Sequence, residues 1–334
     1  MSRSTAYEPL GGAPSTPGPD RSPVRVLYIG GCGRSGSTLL DRVLGQVPGM
    51  CSVGEVVHIW RRGLLGNQLC GCGLPFRECP FWTRVGNEAF GGWDMLDVDH
   101  LVRLQRQVDR NRYIPLMMLR RLSPGYRRAL QAYTDVLARL YRAVQATSGA
   151  AVIVDSTKHA SSGFLLRTVP GIDLRVLHLT RDSRGVAYSW TKEIRKPEIT
   201  EQTEYMPRYH PGRMAFRWVA YNALFHLLRW TGTPVLFLRY EDFVARPRAQ
   251  AERVMAFVGK RLSGNELAFI GEDRVVLGPT HTVAGNPMRF KQGDLTLRVD
   301  DQWRVKMDPV HRRTVGILTW PLMRLYGYPV REPG

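Results

Sequence analysis

Nine consecutive residues, Gly30-Gly31-Cys32-Gly33-Arg34-Ser35-Gly36-Ser37-Thr38, hold four glycines, three hydroxyls and one guanidinium. Glycines let the backbone turn sharply and bring its N–H groups close to a ligand. A helix starting after them adds the positive end of its dipole. Gly33, Arg34, Ser35, Gly36, Ser37 and Thr38 therefore read as a phosphate cradle. The gap from Gly31 to Gly36 is that of a Walker A loop, but Ser37 stands where the lysine belongs. An ATPase or kinase loses its contact to the β- and γ-phosphates by that change, and the cation lies upstream at Arg34 instead. Arg181 and Ser189 form a second pair, about two helical turns apart if the segment is helical. An arginine fork binds phosphate oxygens bidentately, and a hydroxyl adds one donor. Lys158 ends the run Val152-Ile153-Val154-Asp155-Ser156-Thr157-Lys158 and offers a compact charge suited to one oxygen. Glu55, in Ser52-Val53-Gly54-Glu55-Val56-Val57, is a carboxylate available as a base. His58, with an ordinary pKa near about 6.5, is the alternative.

Groups of this kind need rigid elements to hold them. Val24-Arg25-Val26-Leu27-Tyr28-Ile29 is a short apolar, β-branched run that reads as a buried strand, and Thr38 to Val47 reads as a helix stopped before Pro48. Ala151–Val154, Leu174–Leu179 and Val235–Leu238 are further buried-strand candidates, and Ser52 to Val57 is strand-like. Helices are expected over Tyr126–Gln145, Arg184–Glu193 and Met214–Trp230. Alternating strands and helices predict an α/β fold with a central parallel sheet covered on both faces. Ligands bind such sheets beyond the carboxyl ends of the strands, and the polar clusters fall at those ends.

Composition narrows the rest. With 43% apolar and 23% charged residues, the chain is neither fibrous nor wholly disordered. Residues 1–23, with five prolines, read as a disordered arm before a single domain over 24–330. Residues 95–128 carry eight arginines and read as a helical insertion or lid. No run of about 18 apolar residues and no signal-like start occur, so a cytoplasmic protein is expected. The net charge of +18 suits nucleic acid, an anionic surface or an anionic small molecule. No nucleic-acid-binding motif is present, so nucleic acid is not expected. Cys70, Cys72 and Cys79 are one ligand short of a Cys₄ zinc site. Cys51 or His58 could complete it, but neither is close in sequence; packed thiols are expected, with a reversible disulfide and a zinc site as the alternatives, and no metal is assigned.

Arg34 before Ser-Gly-Ser-Thr, together with Arg181 and Ser189 after a strand, resembles the donor site of sulfotransferases that use 3′-phosphoadenylyl sulfate (PAPS). The resemblance spans roughly 24–330. It is to the bacterial type and, more distantly, to tyrosylprotein sulfotransferases. It implies a P-loop-like three-layer fold, PAPS as co-substrate, no metal requirement, and transfer of a sulfuryl group to a hydroxyl of a small molecule or glycolipid. Adenosine 3′,5′-bisphosphate (PAP) is the implied product. The loop around Arg34 would take the 5′ phosphosulfate, and Arg181 with Ser189 the 3′ phosphate. Tyr240, in Leu238-Arg239-Tyr240-Glu241-Asp242, would lie near the nucleotide. Gly285, Asn286 and Arg289, in a Gly-Asn-Pro-x-Arg loop, would close over the adenine and 3′ phosphate. Lys158 would meet the bridging oxygen, and Glu55 would be the base. Similar cysteine loops occur in bacterial members, near the acceptor entrance. The competing readings are a P-loop nucleotide or small-molecule kinase and a basic nucleic-acid-binding protein.

Overall fold

The computed structural model describes residues 22–118, 123–195 and 205–329. The expected arm therefore lies almost wholly outside the described residues. In chain order, β1 (Val24–Gly30), α1 (Ser37–Gly45) and β2 (Met50–Gly54) open the fold. A helical stretch follows, with α2 (Pro80–Phe90), α3 (Val98–Val108), α4 (Ile114–Met118) and α5 (Pro124–Ser148). Then come β3 (Val152–Lys158), α6 (Ala160–Leu166), β4 (Ile172–Thr180), α7 (Ser183–Ser189), α8 (Pro211–Trp230) and β5 (Val235–Arg239). The remainder is α9 (Tyr240–Ala245), α10 (Pro247–Phe257), a β6 (Arg274–Leu277) and β7 (Gly293–Thr296) hairpin, α11 (Trp303–Lys306) and α12 (Pro309–Leu325).

The five strands form one parallel sheet in the order β2-β3-β1-β4-β5. β1 is central and shows why. Val24, Val26 and Tyr28 enter the core on one face, and Leu27 and Ile29 enter the core on the other. A strand buried on both faces reads as a continuous apolar run, as this one does. The chain goes one way from β1 to β2 and the other way from β3 to β4. The crevice of such a sheet lies where the order reverses, at the carboxyl end of β1.

One sequence expectation is revised. The stretch Ser52 to Val57 is not one strand, because β2 stops at Gly54 (φ 75°). There the backbone turns to bridge Val283, and the Glu55 N–H donates to the Val283 carbonyl at 2.8 Å. The described residues of 95–128 are largely helical and pack into the core. Val98, Leu101, Val102, Leu104 and Val108 of α3 are buried in the larger core, and α5 already begins at Pro124. None of the described residues of this stretch lines the cleft discussed below.

Asp41 links α1 to β2 by accepting the Ser52 hydroxyl at 2.6 Å. Burial pushes its pKa up to about 7 from an ordinary 3.8. An acid whose pKa is higher folded than unfolded takes up its proton preferentially in the fold. Its contribution is therefore full below the ordinary value of 3.8 and is lost progressively as pH rises toward about 7. Asp41→Asn keeps an acceptor for Ser52 and removes the buried charge. We expect its melting temperature to exceed that of the parent by a few degrees at about pH 8, with the gain shrinking as pH falls and vanishing only below about pH 4. Calorimetry finding no gain at the higher pH would contradict the assignment.

Candidate active site

Each of the five parallel strands delivers a polar group from its carboxyl end. β1 ends in the glycine loop, β2 leads to Glu55, β3 ends at Lys158, β4 leads to Arg181 and β5 to Tyr240. The register aligns them, since Gly30 of β1 stands beside Lys158 of β3 and His178 of β4. The result is a cleft of about 700 Å³, the size of a cofactor-binding pocket. Among the described residues, its walls carry Arg34, Arg62, Lys158, Arg181, Lys192 and Arg217 against Glu55 and Asp300. That excess of positive charge among the described residues suits anionic groups.

The loop earns its glycines. A side chain at Gly31 (φ 144°) would strike the Leu179 carbonyl, and one at Gly36 (φ 85°) would strike the Tyr240 ring. Gly36 caps α1 without a side-chain bond, so the first N–H groups of the helix are left for a ligand. Arg34 is itself left-handed (φ 74°), as is Lys158 (φ 73°). Such backbone in non-glycine residues is costly and clusters at functional sites. The Arg34 guanidinium lies 4.9 Å over the Trp190 ring, whose Nε1–H donates to the Gly33 carbonyl at 3.2 Å. Gly33, Gly36, Ser37 and Thr38 also line the cleft. Ser35 is buried and does not line it.

Arg181 is 7% exposed and held from three sides. It donates to the Arg34 carbonyl at 3.2 Å and to the Asp300 carbonyl at 2.7 Å, and stands 5.1 Å over the Tyr240 ring. Its guanidinium also pairs with the Asp300 carboxylate at 3.2 Å, and Lys192 pairs with the same carboxylate oxygen at 3.2 Å. Burial pushes the Asp300 carboxyl up, but Arg181 and Lys192 outweigh it and hold it below its ordinary value. Ser189 lines the cleft. Asp300 thus sits as an anion in a seat built from cations.

Glu55 is almost fully buried, and both its oxygens are engaged. The Lys158 ammonium donates to Oε1, and His58 Nε2 is 3.4 Å from Oε2. Burial alone would raise the Glu55 pKa, but Lys158 and His58 outweigh it and keep the carboxyl ionised far below its usual range. Lys158 also donates to the Ser156 carbonyl at 3.2 Å. His58 has its own pKa pushed down by burial, against the pull of Glu55. His159 stands edge-on to it at 6.2 Å and is pushed down to about 4 by burial. Gly285 (φ 121°) packs beside both Glu55 and Thr38. Asn286 completes that wall.

Arg289 is a correction. Its side chain is 1% exposed and donates to the Thr282 carbonyl at 2.8 Å and the Leu69 carbonyl at 2.7 Å. It staples two loops together and does not line the cleft. Sequence reasoning also missed Lys192, Asp300 and His159. Lys192 lies three residues beyond Ser189 and Asp300 three before Trp303, but nothing in their own sequence context marks them. His281 is a further omission. It lies 202 residues from Cys79, yet its Nδ1 is 3.3 Å from the Cys79 sulfur.

No described helix is long and apolar enough to cross a membrane. No curated protein matches the chain. Among similar solved structures, the sulfotransferase domain of the Synechococcus PCC 7002 olefin synthase is 20% identical, with 92% of this chain and 96% of that one covered and a TM-score of 0.49. The sulfotransferase domain from the curacin biosynthetic pathway is 15% identical, covering 93% and 99%, with a TM-score of 0.49. Retinol dehydratase, solved with retinol and PAP, is 14% identical, covering 93% and 84%, with a TM-score of 0.36. These likenesses are loose and carry no weight here. Residues 27–263 match the profile of the sulfotransferase family, and that span holds the glycine loop, Glu55, Lys158, Arg181 and Tyr240 together. The chain belongs to the sulfotransferase family.

Proposed function

We propose that the protein moves a sulfuryl group from PAPS to a hydroxyl acceptor and releases PAP. One observation carries this reading: the cleft holds two separate anion seats beside an acid–base pair. One seat is Arg34 with the α1 N-terminus. The other is Arg181 with Ser189 and Lys192, where Asp300 stands in for an anion. PAPS supplies the transferable group and has a phosphate at each end of its ribose. A kinase reading lacks support, because Ser37 replaces the lysine that would hold the β- and γ-phosphates.

In this reading Arg34 and the helix N–H groups receive the 5′ end of the donor. Arg181, Ser189 and Lys192 receive the 3′ phosphate and release Asp300. Lys158 leaves Glu55 for the bridging oxygen and neutralises the charge that grows there. Glu55 then loses its nearest cation while staying buried, so its pKa rises and it becomes a better base. It takes the acceptor proton, with His58 holding its other oxygen. Donor binding thus activates the base. Ile194, Met206 and Met214 line the cleft beside these groups. They suit an acceptor with an apolar body, a small molecule rather than a highly hydrated one.

The direct test is incubation with PAPS and a panel of alcohols and phenols, read by mass spectrometry. We expect an acceptor to gain one sulfuryl group with an equal yield of PAP, and ATP with magnesium to modify none. Phosphorylated product from ATP would contradict the reading.

The second anion seat is tested by calorimetry with PAP. Arg181→Ala removes a charge-assisted contact worth about 1.5–3 kcal/mol, so affinity should fall about tenfold or more. Asp300→Asn should act the other way and tighten PAP binding, because the phosphate no longer displaces a like charge. Unchanged affinity in both variants would place the 3′ phosphate elsewhere.

A further inference from the structure

Four side chains outside the cleft converge on one point. The ligating atoms of Cys70, Cys72, Cys79 and His281 all lie within 4.8 Å of one another. Cys72 and Cys79 sulfurs are 3.7 Å apart, and His281 Nδ1 is 3.3 Å from Cys79 and 4.0 Å from Cys70. Sulfur at about 2.3 Å and imidazole nitrogen at about 2.0–2.1 Å from a tetrahedral centre stand about 3.5–3.8 Å apart. The separations of 3.3, 3.7 and 4.0 Å bracket those edges, and small side-chain shifts would bring all four atoms onto one ion. A disulfide needs about 2.05 Å between sulfurs, and all five cysteines are free thiols. We propose that Cys70, Cys72, Cys79 and His281 bind one structural zinc ion.

The surroundings are built for such a site. Gly73 (φ 91°) lets residues 70–74 fold into a tight turn, with the Gly73 N–H on the Cys70 carbonyl at 2.8 Å and the Cys70 N–H on the Leu74 carbonyl at 2.7 Å. The backbone of Cys72, Leu74 and Trp82 lies beside the sulfurs of Cys70, Cys72 and Cys79 in turn. N–H donors to sulfur are the outer partners that orient thiolate ligands. The His281 ring is stacked on Phe81 at 5.0 Å with an 11° tilt, and its carbonyl accepts the Trp82 indole N–H at 2.8 Å. Three thiolates and an imidazole select zinc over hard cations such as magnesium or calcium. Four protein ligands leave no open position, so the ion is structural and not catalytic. Binding converts thiols to thiolates and releases their protons to solvent.

The ion would fasten the cysteine loop to the segment that lines the cleft. Gly71 N–H already donates to the Thr282 carbonyl at 3.0 Å, and Arg289 ties Leu69 to Thr282. Two residues past His281, Val283 pairs with Val53 and Glu55 of the β2 end. Gly285 and Asn286 follow and face the cleft. A staple at His281 therefore fixes the wall beside Glu55 without touching the reacting groups.

Elemental analysis of the full-length protein, purified without chelators from zinc-supplemented medium, tests the proposal without any turnover assay. We expect about one zinc per chain. Replacement by cobalt should give tetrahedral visible bands and a strong sulfur-to-cobalt charge-transfer band. Cys79→Ser and His281→Ala should each lower zinc content at least about tenfold, and Cys51→Ser, outside the cluster, should leave it unchanged. If the ligand variants fail to fold, the metal content and cobalt spectrum of the parent still decide. A parent with almost no metal that takes up no cobalt overturns the site, whether five free thiols titrate or only three, the latter indicating a disulfide.

Discussion

A carboxylate buried as deeply as Glu55 stays ionised only beside a cation, and Lys158 is that cation. The rest of the site depends on this pair. It joins the end of β2 to the end of β3, across strands whose register is fixed by Met50↔Val152 through Gly54↔Asp155. Lys158 itself has a left-handed backbone conformation that a non-glycine residue otherwise avoids. In the proposed reading the pair also stores the base in its charged but least reactive form. In the proposed reaction the same cation is wanted at the donor, so the chemistry starts by breaking the pair.

Asp300 repeats the logic at the second anion seat. The six cationic side chains that line the cleft among the described residues repel one another, and nearby anions relieve that repulsion. Glu55 shields Lys158, and Asp300 shields Arg181 and Lys192. Both carboxylates come from the protein's own loops, so a ligand displaces them rather than entering an uncompensated field. Affinity then depends on the difference between a phosphate and a carboxylate on the same cations. A phosphate, with more charge and more acceptor oxygens, has the advantage on an arginine fork.

Much of this was legible in the sequence for a physical reason. A parallel α/β sheet places its ligands at strand ends, and strand ends are visible as apolar runs breaking into Gly, Ser, Arg or Lys. Gly30 to Thr38, Lys158, Arg181 and Tyr240 all follow such breaks. What stayed hidden was direction and long-range pairing. Arg289 has the right residue type in a loop rich in turn signals, but two backbone carbonyls draw its guanidinium inward. His281 joins three cysteines only because the bridge from Gly54 to Val283 folds its loop back on the sheet edge. The arginine-rich stretch 95–128 read as an insertion or lid because its charges are conspicuous. Its buried valines and leucines, spaced along α3, carry the packing.

The central claim is that donor binding draws Lys158 away from Glu55 and so makes Glu55 basic. Carbon-13 NMR of the Glu55 carboxyl, titrated with and without saturating PAP and assigned by Glu55→Gln, measures this directly. The account predicts a carboxyl that stays ionised far below the usual carboxylate range in the free protein and titrates at distinctly higher pH with PAP bound. An identical titration in the two states would show that the pair does not open, and that Glu55 is a structural partner of Lys158 rather than the base.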